Sequence, residues 1–336
     1  PSEDPPRVDP SADQASPAGP STTDSLVTST GSEGRQGAVT ATVVVPTTGD
    51  RGPLLAHSVG SVLNQSVTDV EVFIIADGIT DETRNHITEL IEADSRVRLF
   101  EFDKHESRGE PNRHQVLTEH ATGRFVAYIC DRDLWLPNHL HELDLALTDA
   151  DFAHTLRFRV AEDNTFRFTH IVDLRTPAGR ATTRPGPWLI PLSFAGHTLD
   201  AYRRLPWGWR TTPPGRPTDS YMWEQFLGEP WVRVAAVATP TVLTFKRGAH
   251  PGLSTPQRLE LLEAWGGRLS TDGGPESVTR EVLDSLWTDW SSIRTEALGA
   301  EKRRSSTRLR SVAPHAARLK RRAERRLRSL VGRASR

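Results

Sequence analysis

The sequence predicts an α/β fold around a mostly parallel sheet, with an antiparallel part in its second half. Four near-continuous apolar runs, "AVTATVVV", "VEVFIIAD", "VRLFEF" and "RFVAYICD", are separated by amphipathic stretches of helical period in the first 131 residues. From residue 151 the pattern changes to alternation, in "DFAHTLRFRV" and "TFRFTHIV", as half-exposed antiparallel strands require.

The elements follow in order. Val39–Val45 reads as a buried strand stopped by Pro46. Pro53 suits the first position of a helix that runs to about Gln65 and aligns Leu55, Val59, Val62 and Leu63 on one face. The second strand (70–77) ends on Asp77-Gly78. Thr80 or Asp81 then caps a helix carrying Ile87, Leu90 and Ile91. After the third strand (97–102) a helix is expected over Asn112–Ala121, and the fourth strand (124–131) ends on Asp131. Pro137 opens a helix with Leu140, Leu143 and Leu147 on one side. His139 and His141 fall on opposite sides of it and are expected to be solvated. Further helices are expected over Phe194–Leu205 and 218–227, with a strand pair or one bent strand in "VRVAAVATPTVLTF" between them and the C-terminal helices. Ser254 or Thr255 caps a helix with Pro256 early in it, and residues 275–297 form a last amphipathic helix.

Composition sets the boundaries. Residues 1–38 are rich in Pro, Ser, Thr and Gly and lack a core pattern, so they are expected to be a flexible, disordered N-terminal segment. The main domain is expected over 39–253, C-terminal helices packing on it over 254–298, and a basic helical tail over 299–336. The net charge of −1 hides an asymmetry: 15 Lys and Arg against three Glu from Arg294 onward leave +12 there and −13 before it. One cysteine, Cys130, excludes a disulfide framework and fits a reducing, cytoplasmic compartment. No apolar run approaches the ~20 residues of a membrane span.

Open α/β sheets bind ligands beyond the carboxyl ends of their strands. Three polar groups fall there: "PTTGD" after the first strand, "ADG" after the second and "DRD" (Asp131, Arg132, Asp133) after the fourth. Asp-Gly alone is an ordinary turn, and two carboxylates one residue apart are ordinarily a polar turn. Like charges so close need a positive group or a cation between them. Hard oxygen ligands suit Mg2+ or Mn2+.

In order and spacing, "VVVPTTGDRGPLLAHSVGSVLNQSVTDVEVFIIADG" and "RGEPNRHQVLTEHATGRFVAYICDRDLWLPNHL" resemble the nucleotide-sugar half of the bacterial glycosyltransferases of family 2. The resemblance covers residues 41–147. It implies the GT-A fold, a Rossmann-like, mostly parallel sheet with an antiparallel acceptor-side part. It also implies an inverting transfer from a nucleotide-diphosphate sugar to a saccharide, lipid-linked or natural-product hydroxyl, assisted by Mn2+ or Mg2+. By the same resemblance Pro46, Thr47 and Asp77 hold the nucleoside, and Arg113 lies on the diphosphate or sugar side, unless it is a simple helix-surface arginine. Asp131 lies near ribose and metal, Asp133 is the main metal ligand, and His250 is a candidate third ligand. Arg132 points away or pairs with the diphosphate. Ala76 stands where relatives often carry a second Asp.

Inversion needs a base on the face opposite the leaving group. Asp219 is that candidate, against a helix-capping reading of Thr218-Asp219, and Glu224 is the runner-up. Trp207, Trp209 and Trp223 either flank an acceptor cleft or fill the core. The basic tail suits nucleic acid, an anionic membrane or an acidic partner. A membrane-bound acceptor favours peripheral attachment at the inner face of the membrane over nucleic acid. Two other readings stand beside this one. A sugar nucleotidyltransferase should carry a Gly-rich, Lys-containing loop, and "PTTGDRG" has Arg51 but no lysine. A non-catalytic nucleotide-sugar binder on the same scaffold would explain Ala76 and Arg132.

Overall fold

The computed structural model describes residues 39–168, 171–181, 190–246 and 248–301. The expectations placed on residues 1–38 and 302–336 lie outside the described residues. Strand β1 (Ala41–Gly49) is the centre of the parallel half. It pairs with β2 (Val70–Ile79) on one flank and β4 (Phe125–Tyr128) on the other, and β2 carries β3 (Val97–Phe102). The side chains of β1, β2 and β4 are mostly buried on both faces, as their continuous apolar runs require, whereas edge strand β3 exposes Arg98 and Glu101. Helices α1 (Gly52–Leu63), α2 (Asp81–Ala93) and α3 (Glu110–His120) make the crossovers.

Pro46 does not stop β1; the strand runs three residues past it. Val44 turns its carbonyl toward β4, where it accepts the last bond on that flank from Ile129 N at 3.0 Å. Pro46 faces the same way, beyond the end of that ladder, so its missing N–H removes no strand bond.

After β4 the chain turns through Asp131 into β5 (Asp133–Trp135), then α4 (His139–Ala146) and β6 (Phe152–His154). A small hairpin, β7 (Arg159–Val160) with β8 (Phe166–Arg167), and the short helix α5 (Pro177–Ala181) follow. The helix expected from Phe194 is instead β9 (Ala195–Thr198), and only Leu199–Arg204 is helical, as α6. β9 fills the slot between β4 and β6, antiparallel to both. Gly196 permits this: a Cβ there would lie 3.0 Å from Leu143 and 3.2 Å from the Val126 carbonyl.

The last helices and strands are α7 (Thr218–Gly228), β10 (Val234–Ala236), β11 (Val242–Thr244), α8 (Thr255–Leu269) and α9 (274–301). β10 and β11 belong to different sheets. β10 ends the seven-stranded order β10-β6-β9-β4-β1-β2-β3, and β11 pairs antiparallel with β5. A second apolar cluster joins Leu134 and Leu243 of that pair to Phe158, Phe166, Leu262, Trp265, Val278 and Val282. Its contacts hold α8 and the start of α9 against the sheet edge that carries Asp133.

Candidate active site

Asp131 sits one turn beyond β4, 1% exposed, and collects the end of the first strand around it. Its Oδ2 accepts from Arg51 Nη1 at 2.9 Å and from Thr47 Oγ1 at 3.4 Å, while Oδ1 accepts from Arg132 Nη1 at 3.4 Å. The positive groups on Asp131 are therefore arginines. Arg132 Nε is buried without a partner among the described residues. A cleft of about 410 Å3 opens here, lined by Thr48, Asp50, Arg51, Asp131, Arg132 and Arg258 among others. That volume is in the range of small-molecule sites, and a lining with three arginines suits an anion.

Asp133 is the first residue of β5 and is 3% exposed. Both its oxygens are engaged by the protein: Ser193 Oγ donates to Oδ2 at 2.5 Å and Phe245 N to Oδ1 at 3.2 Å. His250 is not brought to this pair. Its Nε2 faces the Val160 carbonyl at 3.1 Å, which fixes a proton on that nitrogen, since a carbonyl can only accept. Among the described residues no three His, Cys, Asp or Glu side chains converge to hold an ion. The carboxylates are the right donors for Mg2+ or Mn2+. As arranged, however, Asp131 is balanced by guanidinium groups and Asp133 by neutral donors, so the set does not fit a resident cation.

Asp77 lies near the carboxyl end of β2. It is 5% exposed, accepts from His105 N at 2.6 Å and pairs with Lys104, while its carbonyl accepts from Thr48 Oγ1 at 2.6 Å. Gly109, the N-cap of α3 at φ +63°, keeps the approach tight: a Cβ there would lie 3.0 Å from Asp77 Cγ.

A second polar group gathers at the start of α7. Asp219 stands in the first turn of α7, but the N-cap is Pro217 and no side chain caps the helix. Its Oδ2 instead accepts from Leu192 N at 3.0 Å. Burial pushes its carboxyl above the ordinary aspartate range, against Lys246 and Arg113, whose charges pull it down. Burial likewise lowers Lys246, helped by Arg157 and opposed by Asp219 and Asp133. Arg113 is no surface residue; it is 7% exposed, lies 5.0 Å from the Trp209 ring and donates to the Arg108 carbonyl at 2.8 Å. Glu110, fully buried, accepts from Arg108 N at 3.1 Å, and Arg108 Nη1 reaches Thr218 Oγ1 at 3.3 Å. These contacts tie the start of α3 to the start of α7. Glu224 is committed to a salt bridge with Arg216.

Residues 42–205 match the family described as Glycosyl transferase family 2. The chain carries a family 2 glycosyltransferase domain. Its sheet, with β9 inserted antiparallel beside β4, is the GT-A fold. Among similar proteins, the UDP-Glc:alpha-D-GlcNAc-diphosphoundecaprenol beta-1,3-glucosyltransferase WfgD of Escherichia coli is 29% identical over 86 residues, 26% of this chain and 32% of that protein. The GalNAc(5)-diNAcBac-PP-undecaprenol beta-1,3-glucosyltransferase of Campylobacter jejuni is 29% identical over 112 residues, 33% of this chain and 35% of that protein. The chain thus spans about a third of the length of these relatives. The crystal structure of S. aureus TarS 1-349 aligns with a TM-score of 0.50 at 13% identity, over 74% of this chain and 72% of that one. Likeness at that level is likeness of fold.

Several residues of the glycosyltransferase domain and its surroundings escaped the sequence reading. Arg51, Ser193, Phe245 N and Lys246 all act on the two aspartates or on Asp219, and none lies in a motif of its own. Only Arg51 gave a signal, as the one cation in the loop after β1. His139 is a correction: it is fully buried, stacked on Trp135 at 4.2 Å and bonded through Nδ1 to Thr241 Oγ1 at 2.8 Å. The β5–β11 pair covers the side of α4 that a helix wheel leaves open. Trp209 and Trp223 are core residues at 2% exposure, and Trp207 alone is at the surface.

Proposed function

We propose that the chain transfers a sugar from a nucleotide-diphosphate sugar to an acceptor hydroxyl with inversion, and that Asp219 is the base. The observation that carries this reading is the cationic cleft around Asp131 with a half-buried carboxylate, Asp219, whose donor Leu192 precedes the Ser193 that bonds Asp133. The nucleoside end of the donor lies along Pro46, Thr47 and Asp77. Its diphosphate lies by Arg51 and Arg132, whose buried Nε lacks a protein partner and suits a phosphate oxygen. Asp219 accepts the acceptor proton as the acceptor oxygen bonds to the anomeric carbon, and the bond from that carbon to the diphosphate oxygen breaks. The nucleoside diphosphate leaves with the electron pair, and Arg51, Arg132 and Lys246 bear its growing negative charge. Arg113 and Glu110 hold the base-bearing helix against α3. The acceptor class that best fits the relatives' names is a lipid-linked saccharide, as in the undecaprenol-diphosphate substrates named for the two beta-1,3-glucosyltransferases.

Asp219→Asn tests the assignment, because it keeps size and fold while removing the base. Transfer should fall about a hundredfold to ten-thousandfold with nucleotide affinity unchanged. An Asn variant that transfers at the wild-type rate would sink it. The Arg51–Asp131 pairing also favours a second reading, a non-catalytic nucleotide-sugar binder. Donor binding by the wild type without hydrolysis or transfer to any lipid-linked acceptor would select that reading.

A further inference from the structure

Helix α9 begins docked and ends with a bare apolar face. Val278 and Val282 are buried in the second core. Beyond them Leu283, Trp287, Trp290, Ile293 and Leu298 are 43%, 67%, 54%, 67% and 43% exposed. At about 100° per residue these five fall on one strip about 140° wide, whose centre lies about 100° from Val282 and about 140° from Val278. The two indoles lie 5.5 Å apart and form a ridge along it. Within its length Asp284, Asp289 and Glu296 lie about 100° or more from its centre and Arg294 is on it, while Glu276 and Glu301 line up with it at the two ends of α9. Two neighbouring tryptophans held in water are unfavourable and mark a contact surface.

Charge decides what covers it. Directly after α9, residues 302–336 supply 14 Lys and Arg against one Glu. A second copy of the chain would bring that positive charge against itself. A negatively charged bilayer attracts it, and tryptophan rings favour the boundary between acyl chains and water. Asp284, Asp289 and Glu296, the acids within the length of the strip, then face solvent, away from the anionic headgroups. We propose that the Trp287–Trp290 strip is a membrane-contact surface that seats in an anionic lipid bilayer, with residues 302–336 as its electrostatic anchor. No described helix is long and apolar enough to cross a membrane, so this is attachment from one side.

The test uses the full chain and flotation with vesicles of phosphatidylglycerol and phosphatidylcholine, against phosphatidylcholine alone, at low and high salt and without nucleotide. The wild type should float with the anionic vesicles, and brominated acyl chains should quench its tryptophan emission. A Trp287→Ser/Trp290→Ser double variant should lose about tenfold or more in partitioning and lose the quenching, with its circular dichroism and donor hydrolysis unchanged. Both side chains are far from the proposed machinery, so vesicle binding and donor chemistry fail independently. Three results overturn the proposal: a wild type that does not float, a double variant that floats equally well, or a wild-type dimer by light scattering that the variant splits.

Discussion

Asp131 shows how one side chain decides what a pair of carboxylates can bind. Arg51 reaches it at 2.9 Å and is itself 22% exposed, so the pair is partly desolvated and its charge-assisted bond is of the stronger kind. Arg51→Ala should therefore have two effects. Binding of UDP or GDP in the presence of EDTA should weaken about tenfold to a hundredfold, the equivalent of one hydrogen bond to a charged group. Mn2+ binding to the free protein should strengthen, because Asp131 is left as a buried carboxylate short of positive charge. Calorimetry reads both. If Arg51→Ala matches the wild type in EDTA and gains no affinity for Mn2+, Arg51 has no part in balancing the site.

At the scale of the element, Gln65 explains why α1 ends where it does. It is 3% exposed, and its amide donates to the Ser61 carbonyl at 3.0 Å and the Leu136 carbonyl at 2.8 Å, while its carbonyl accepts from Leu140 N at 2.9 Å. One side chain thus closes α1, spans the β5–α4 link and fixes the strand that begins on Asp133. Gln65→Leu adds apolar surface of similar volume but strands the Leu140 N–H and leaves the Leu136 carbonyl with His139 N alone. It should destabilise by about 1–3 kcal/mol despite the added apolar area. Urea denaturation measures this, and an unchanged midpoint would mean that water reaches the Leu140 N–H. The same reasoning separates α8, whose Ser254–Gln257 capping box is written in adjacent residues, from β9, whose place depends on residues 70 positions away.

Across the whole molecule, burial sets the response to acid. His139, His154 and His197 are buried, and desolvation holds them at about 3, 4 and 4, below the ordinary 6.5. Each is neutral in the fold while the unfolded chain takes up a proton below pH 6.5. Stability is therefore full above that pH and falls as pH drops toward 4, by about 1.4 kcal/mol per pH unit for each group. The three together rival the total stability of an ordinary domain within a few pH units. Urea midpoints should drop steeply between about pH 7 and about pH 5. A flat midpoint over that window would show that these imidazoles are charged or solvated in the fold.

The sequence by itself determined the α/β class, the four strands of the mostly parallel half and the family, because each rests on local patterns. Continuous apolar runs need two covered faces, and "PTTGD", "ADG" and "DRD" mark the carboxyl ends of strands. Ser254 caps a helix with its own neighbours. Tertiary structure decided what depends on partners distant in sequence. Pro46 stays in a strand because β4 ends before reaching it. Residues 195–198 are a strand because β4 and β6 leave a slot that Gly196 fits. His139 is buried because β11 arrives from a hundred residues away. The two aspartates illustrate the divide most directly. Their spacing was legible, but the guanidinium on one and the hydroxyl on the other come from positions 51 and 193, which no local period connects to them.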